Sequence, residues 1–260
     1  MSILKKTISF IFLLSFFIFA AEEDKNLTGK EIAERVEAQS KKLNFLIIRG
    51  EIEMVNLQSQ RSEKRHYTVM SRIDNNRKSS IFRFTDSIYK NTTFLSLEQP
   101  DGSRLQYIWL KSVGSPRQIE GSDKDADFVD TDISNEEIGG FAINDYIWNR
   151  IEDRTIDNRD CYVIERVPVR KNARYSKYVV FIDKEYLVTL LARVYGKDNR
   201  MIKIIKSSDI RKVGETYMAF FTEVVHSERK RKTIVRIIEA IEKEPQKTFF
   251  RKEMMDSPWQ

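Results

Sequence analysis

The segment "SPRQIEGSDKDADFVDTD" (Ser115 to Asp132) carries five aspartates, Asp123, Asp125, Asp127, Asp130 and Asp132, within ten residues of a chain whose net charge is positive. Carboxylates at alternate positions are the donor set of a hard divalent cation. The commonest calcium-loop template does not fit. If Asp123, Asp125 and Asp127 took its first, third and fifth positions, the turn glycine would fall on Phe128 and the bidentate glutamate on Ser134. A looser oxygen site on Asp123–Asp132 stays open as the metal reading. The plain alternative is an exposed polar loop leading to a short helix, with Ser134 as its cap ahead of Asn135, Glu136 and Glu137. No cofactor and no metal are expected.

Nucleophilic chemistry has fewer candidates. The chain has two histidines, His66 and His226, and one cysteine, Cys161. A hydrolase would need one of those imidazoles beside a nucleophile such as Ser208 or Cys161. Both histidines sit at the ends of alternating segments, which predicts surface or rim positions. No GxSxG, HExxH, CxxC or phosphate-cradling glycine motif occurs, and no pair of carboxylates stands apart from the rest. An enzyme is not expected.

The N-terminus sets the compartment. Lys5 and Lys6 precede an apolar run, "TISFIFLLSFFIFA" (Thr7 to Ala20), and the polar "AEEDKN" follows. The run is short for a bilayer span and ends on a small residue, so residues 1–20 read as a cleavable signal peptide and residues 21–260 as one exported domain. A retained anchor is the alternative. Export by this route places the mature protein outside the cytoplasm. Removing residues 1–20 takes away Lys5 and Lys6 and no acid, leaving a net charge of +4 from +6. Charges of both signs are interspersed, with no basic, aromatic-rich window for nucleic acid. A lone cysteine cannot form an internal disulfide, so Cys161 is expected to be a small buried residue and the core must hold the fold.

The elements that would position these groups are mainly strands. "LTGKEIAERVEAQSKK" (Leu27 to Lys42) predicts an amphipathic helix, with Thr28 and Glu31 forming a capping box and Ile32, Ala33 and Val36 on one face. From Asn44 the period becomes two, with Leu46, Ile48, Ile52 and Met54 on one side and Arg49, Glu51 and Glu53 on the other. Similar segments follow at His66–Ile73, Ser79–Phe84, Thr93–Glu98, Arg104–Lys111, Cys161–Pro168, Lys177–Asp183, Leu187–Tyr195, Met201–Ser208, Thr216–His226 and Lys232–Ile241. Turn signals such as "DNNR" and "GKDNR" join them. The sum is roughly eleven strands in an antiparallel meander, which must curl because strands twist. One inward apolar face is predicted, with Phe82 and Phe84 against Arg83, Leu95 and Leu97 against Glu98, and Phe220 and Val224 against Glu223.

The stretch "YIWLKSVGSPRQIEGSDKDADFVDTDISNEEI" (Tyr107 to Ile138) resembles the corresponding part of LolA-like outer-membrane lipoprotein-sorting proteins. There a Trp-Leu strand leads through a basic turn and a Gly-Ser-Asp loop to an acidic helix start. "DNRDCYVIERVPV" (Asp157 to Val169) and the strands after it are similar to the family's second half. The likeness spans nearly all of the mature chain and rests on order and spacing rather than on one sharp motif. It implies an unclosed antiparallel β-barrel, a half-barrel with a few helices covering its concave face, exported to the periplasm. It also implies a carrier that binds the acyl chains of lipoproteins or lipids in an apolar cavity and moves them between envelope membranes. Its partners would be an inner-membrane transporter and an outer-membrane acceptor. The competing expectation is an envelope sensor, or an accessory protein of a lipid exporter, whose interior is filled.

On the carrier expectation the cavity lining comprises Leu46, Ile48, Met54, Phe82, Phe84, Leu95, Trp109, Phe220 and Val224. The first helix and Glu136–Trp148 would form a lid, with Gly139 and Gly140 as its hinge. The acid loop would join strands at the rim, with its aspartates solvated or capping the helix near Ser134.

Overall fold

The computed structural model describes residues 26–259. The proposed signal peptide lies outside the described residues. No helix among them is long and apolar enough to cross a membrane.

The chain opens with helix α1 (Gly29–Ser40), whose start is the expected capping box. The Glu31 amide donates to Thr28 Oγ1 at 3.2 Å, and the Thr28 amide donates to Glu31 Oε2 at 2.7 Å. Five strands follow in a meander: β1 (Phe45–Asn56), β2 (Ser62–Asp74), β3 (Arg77–Phe84), β4 (Thr93–Glu98) and β5 (Arg104–Trp109). A short β6 (Pro116–Gln118) ends this half, and a one-turn helix α2 (Asn135–Gly139) lies in the connection to β7 (Tyr146–Arg150). The second half continues with β8 (Arg154–Ile156), β9 (Arg159–Pro168), β10 (Tyr175–Asp183), β11 (Thr189–Gly196), β12 (Met201–Val213), β13 (Thr216–His226) and β14 (Arg231–Ile241). All the strands expected from alternation are present; β6, β7 and β8 are additional and short.

These strands form one antiparallel sheet in the order β6-β5-β4-β3-β2-β1-β14-β13-β12-β11-β10-β9-β7, with β8 paired to β9. The two halves meet where the first and last strands pair, Ile52 opposite Val235. Gly50 marks a bulge there, because a Cβ would come within 2.3 Å of the Arg236 carbonyl oxygen and 2.5 Å of the Tyr67 hydroxyl. Tight turns fall where the sequence placed them. Asp74 pairs with Arg77 across Asn75 and Asn76, which both take positive φ, the signature of a two-residue hairpin.

The outer strands β6 and β7 do not pair, so the sheet is an open half-barrel. Both outer strands come from the middle of the chain. The connection from β6 to β7 must therefore pass from one edge of the sheet to the other.

Two apolar clusters fill the concave side. One gathers Leu46, Ile48, Ile52, Phe82, Phe84, Phe94 and Phe220 on the β1–β5 side. The other gathers Ile32 of α1 with Tyr146, Ile164, Tyr178, Val180 and Ile182. A third cluster lies on the opposite face, where Ile81, Leu95, Leu97, Tyr107 and Trp109 pack under Phe249, Phe250, Met255 and Trp259 of the C-terminal segment. Arg83 secures that segment. It donates to the Met255 and Ser257 carbonyl oxygens, each at 2.7 Å, and its guanidinium lies 4.2 Å from the Trp259 ring centre. Cys161 is buried as expected, and burial, reinforced by Asp183, pushes its thiol up to about 11.

Candidate functional site

The acid loop does not lie at the rim. In crossing from β6 to β7 it enters the concave face, and Asp125 and Asp132 are each only 3% exposed. Cations from distant turns make that burial tolerable. Asp125 Oδ1 accepts from Arg170 at 2.5 Å and Oδ2 from the Arg174 amide at 2.8 Å. Asp127 pairs with Arg174 at 3.2 Å and with Arg229. Asp132 accepts from Arg231 at 2.9 Å and from the Thr233 hydroxyl at 3.0 Å. Asp123 pairs with Arg117, and Asp130 accepts from the Tyr89 hydroxyl. The aspartates thus find their partners in arginines, hydroxyls and amides of the protein itself. Ser134 does cap α2, with Glu137 completing its box.

Phe128 is the apolar tip of this loop and is 0% exposed. Its ring stacks on Phe84 with centres 5.8 Å apart and meets Phe82 and Phe94 edge-on at 5.1 and 5.7 Å. The residue that spoiled the calcium template is therefore a plug that fills one half of the trough.

Between the two packed sides the trough is hollow. A cavity of about 420 Å³ lies at the seam between the two concave clusters, beneath α1 and Glu137–Phe141. Its walls include Ala33 and Val36 from α1, Leu46, Val69 and Met218 from one side, and Ile182 from the other. A smaller cavity of about 170 Å³ adjoins it, and both touch Val69, Ser80, Glu137 and Ile138.

The predicted lining residues divide three ways. Leu46 and Ile48 line the larger cavity, and Phe82 the smaller one. Met54, Phe84 and Phe220 belong to the packed cluster that receives Phe128, while Val224 is buried opposite Ile205 and Thr233 without reaching either cavity. Leu95 and Trp109 point to the opposite face, under the C-terminal segment. On β4 and β5 the inward positions are Phe94, Ser96, Gln106 and Ile108, so the alternation was read with the wrong parity there. Val69 and Met218 went unpredicted although both lie in alternating segments.

Gly139 and Gly140 are pinned rather than hinged. The Gly139 carbonyl accepts from Ser96 Oγ at 2.7 Å, and a Cβ at Gly139 would sit 2.2 Å from Gln106 Nε2. Close approach calls for glycine at Gly139, and a φ of +85° does at Gly140.

Charged groups ring the cavity. Lys203, fully buried, donates to Glu137 Oε2 at 2.7 Å and to the Asp132 carbonyl at 3.2 Å. Burial works against its ammonium, but Glu137 and the Tyr175 hydroxyl together outweigh it and hold the pKa above the usual lysine value. Glu37 of α1 meets Arg104 at 3.2 Å and Lys41 at 3.3 Å. Glu98 accepts from Lys41 Nζ at 2.5 Å and from the Lys78 amide at 2.9 Å.

Among the described residues neither histidine ring is hydrogen-bonded to a serine or cysteine. His66 is half-exposed, with Nδ1 at 2.5 Å from Asp86 Oδ2. His226 is not at the rim but 2% exposed, with neither ring nitrogen hydrogen-bonded among the described residues. Burial and the nearby Arg229 push its pKa down, so the ring is neutral near pH 7. Cys161 Sγ donates to the Arg159 carbonyl oxygen at 3.5 Å and packs with Val163, Phe181 and Leu190.

A family model described as an uncharacterized protein family matches residues 75–257. No curated protein matches the chain. Among solved structures, an outer membrane lipoprotein-sorting protein domain from Vibrio parahaemolyticus superposes with a TM-score of 0.80 at 20% identity, covering 88% of this chain and 98% of that one. A DUF1329 family protein from Desulfovibrio piger gives 0.78 at 20% identity, covering 87% and 97%. A LolA superfamily protein from Nitrosomonas europaea gives 0.67 at 15% identity, covering 87% and 99%. An open antiparallel half-barrel common to all three, together with the match over residues 75–257, makes this chain a member of that model's family, with the LolA-like fold.

Proposed function

We propose that this protein is a periplasmic carrier that takes the acyl chain of a lipid or lipoprotein into the cavity beneath α1 and moves it between envelope membranes. The observation that carries this reading is the hollow of about 420 Å³ at the seam of the two concave clusters, walled mostly by aliphatic and aromatic side chains. Its size is that of a small-molecule site. Each methylene moved from water into such a site gains roughly 0.8 kcal/mol, so a single chain suffices for reversible capture. Two of the similar structures are described as lipoprotein-sorting or LolA proteins, which supports the same reading. Residues 1–20 serve as the export signal. An inner-membrane transporter and an outer-membrane acceptor are the partners, and the role is non-enzymatic.

A second reading, an envelope sensor or exporter accessory without cargo, draws support from the Phe128 plug, which fills the trough on the β1–β5 side. The two readings differ in what the purified protein contains. Lipid extracted from protein isolated from its native envelope fraction should contain acyl species in near-stoichiometric amount by mass spectrometry. Extracts no richer in acyl species than a blank would favour the sensor.

A further inference from the structure

Each carboxylate around the larger cavity has a cationic partner, although Glu137 Oε1 is buried without a hydrogen bond among the described residues, and two of the cavity's cations have no ion-pair partner. Glu37 pairs with Arg104 and Lys41, Glu98 with Lys41, and Glu137 with Lys203. Lys78 and Arg166 both line the same cavity, from β3 and β9, and among the described residues neither has an ion-pair partner. Both occupy inward positions of their strands: Lys78 is in phase with Ser80 and Phe82, and Arg166 with Tyr162 and Ile164.

Arg166 is only 6% exposed. Its guanidinium carbon lies 3.4 Å from the Phe141 ring centre, 4.1 Å from Tyr178 and 4.8 Å from Tyr146. Its Nε is buried without a hydrogen-bond acceptor. Aromatic faces relieve such a charge only in part, and an unpaired buried cation is costly to keep. Burial, with Arg104 and Lys41 adding to it, pushes the Lys78 ammonium below the usual lysine range, and the nearby charges of Glu98 and Glu37 offset this only in part.

We propose that the cavity selects acyl ligands with an anionic head, a carboxylate or a phosphate, and that Lys78 and Arg166 supply the counter-charge. This rests on the carrier reading and narrows its substrate class. A neutral chain would fill the hollow equally well and leave both cations unpaired. An acidic amphiphile satisfies the apolar wall and the two charges together.

The test is a competition assay on delipidated protein, in which palmitate, hexadecyl phosphate and hexadecanol displace a fluorescent acyl probe. Either acidic ligand should bind at least about tenfold tighter than hexadecanol, the order of one charge-assisted contact. The relative strength of palmitate and hexadecyl phosphate tells which head group the site prefers. Lys78→Met should shrink the preference by weakening both acidic ligands more than it changes hexadecanol binding. Arg166→Gln, with its fold checked by thermal melting, should shrink it further. If hexadecanol binds as tightly as both acids, or the double variant keeps the preference, the charge selection is wrong while the carrier reading stands. If none of the three displaces the probe because the probe itself does not bind, both fall.

Discussion

Replacing Phe128 by alanine should lower the free energy of unfolding by about 3–5 kcal/mol, the usual cost of emptying a buried phenylalanine site. The ring is fully enclosed and contacts three other aromatic rings, and each such pair adds roughly 0.5–1.5 kcal/mol beyond simple burial. Collapse around the gap is restricted, because Phe82, Phe84 and Phe94 sit on neighbouring paired strands with Phe82 directly opposite Phe94. Against a typical domain stability of about 5–15 kcal/mol, this loss is large. Denaturant titration should show a lower midpoint with an unchanged slope. A loss below about 1 kcal/mol would mean that the acid loop does not fill the trough.

Asp132→Ala should cost a similar amount, about 3–5 kcal/mol, because it strands the groups that a buried carboxylate neutralises. Asp132 is shared by Arg231 and the Thr233 hydroxyl, and its amide donates to Thr233 Oγ1 at 2.9 Å. Its backbone carbonyl also accepts from buried Lys203. Asp123→Ala is the internal contrast, since its pair with Arg117 is exposed on both sides and such pairs contribute about 0–1 kcal/mol. Unfolding free energies of the two variants, with hydrogen exchange across residues 121–139, check this. Equal effects at the two positions would contradict the clasp by which cations hold the loop inside.

These two residues mark the limit of what the sequence could disclose. Strand alternation was legible, as were the capping boxes at Thr28 and Ser134 and the turn at Asn75–Asn76, because each depends on neighbours in the chain. The fate of Asp132 was not, because its partner Arg231 lies 99 residues away. A run of aspartates ordinarily implies solvent. Only the topology, with both free edges in mid-chain, sends this one inward.

Leu95 and Trp109 failed for a related reason. Alternation separates two faces but does not say which is concave, and on β3–β5 both are covered. Adjacent residues Ile81 and Phe82 are both buried, one under the C-terminal segment and one toward Phe128. Phe249, Phe250 and Met255 have no periodic signal to announce that cover. Part of one wall of the candidate cavity was legible through Leu46 and Ile48. Lys78 and Arg166 escaped notice because a charged residue at an alternating position reads as solvent-facing.

The most direct measurement is titration of the delipidated protein and its Ser80→Trp variant with a solvatochromic fatty-acyl probe. Ser80 borders both cavities, so an indole there occupies the space an acyl chain would need. The wild type should bind the probe with a blue shift, and the variant, melting within a few degrees of it, should lose at least about tenfold in affinity. A folded variant that takes up the probe as well as the wild type, or a wild type that never takes it up, would contradict a chain-binding hollow.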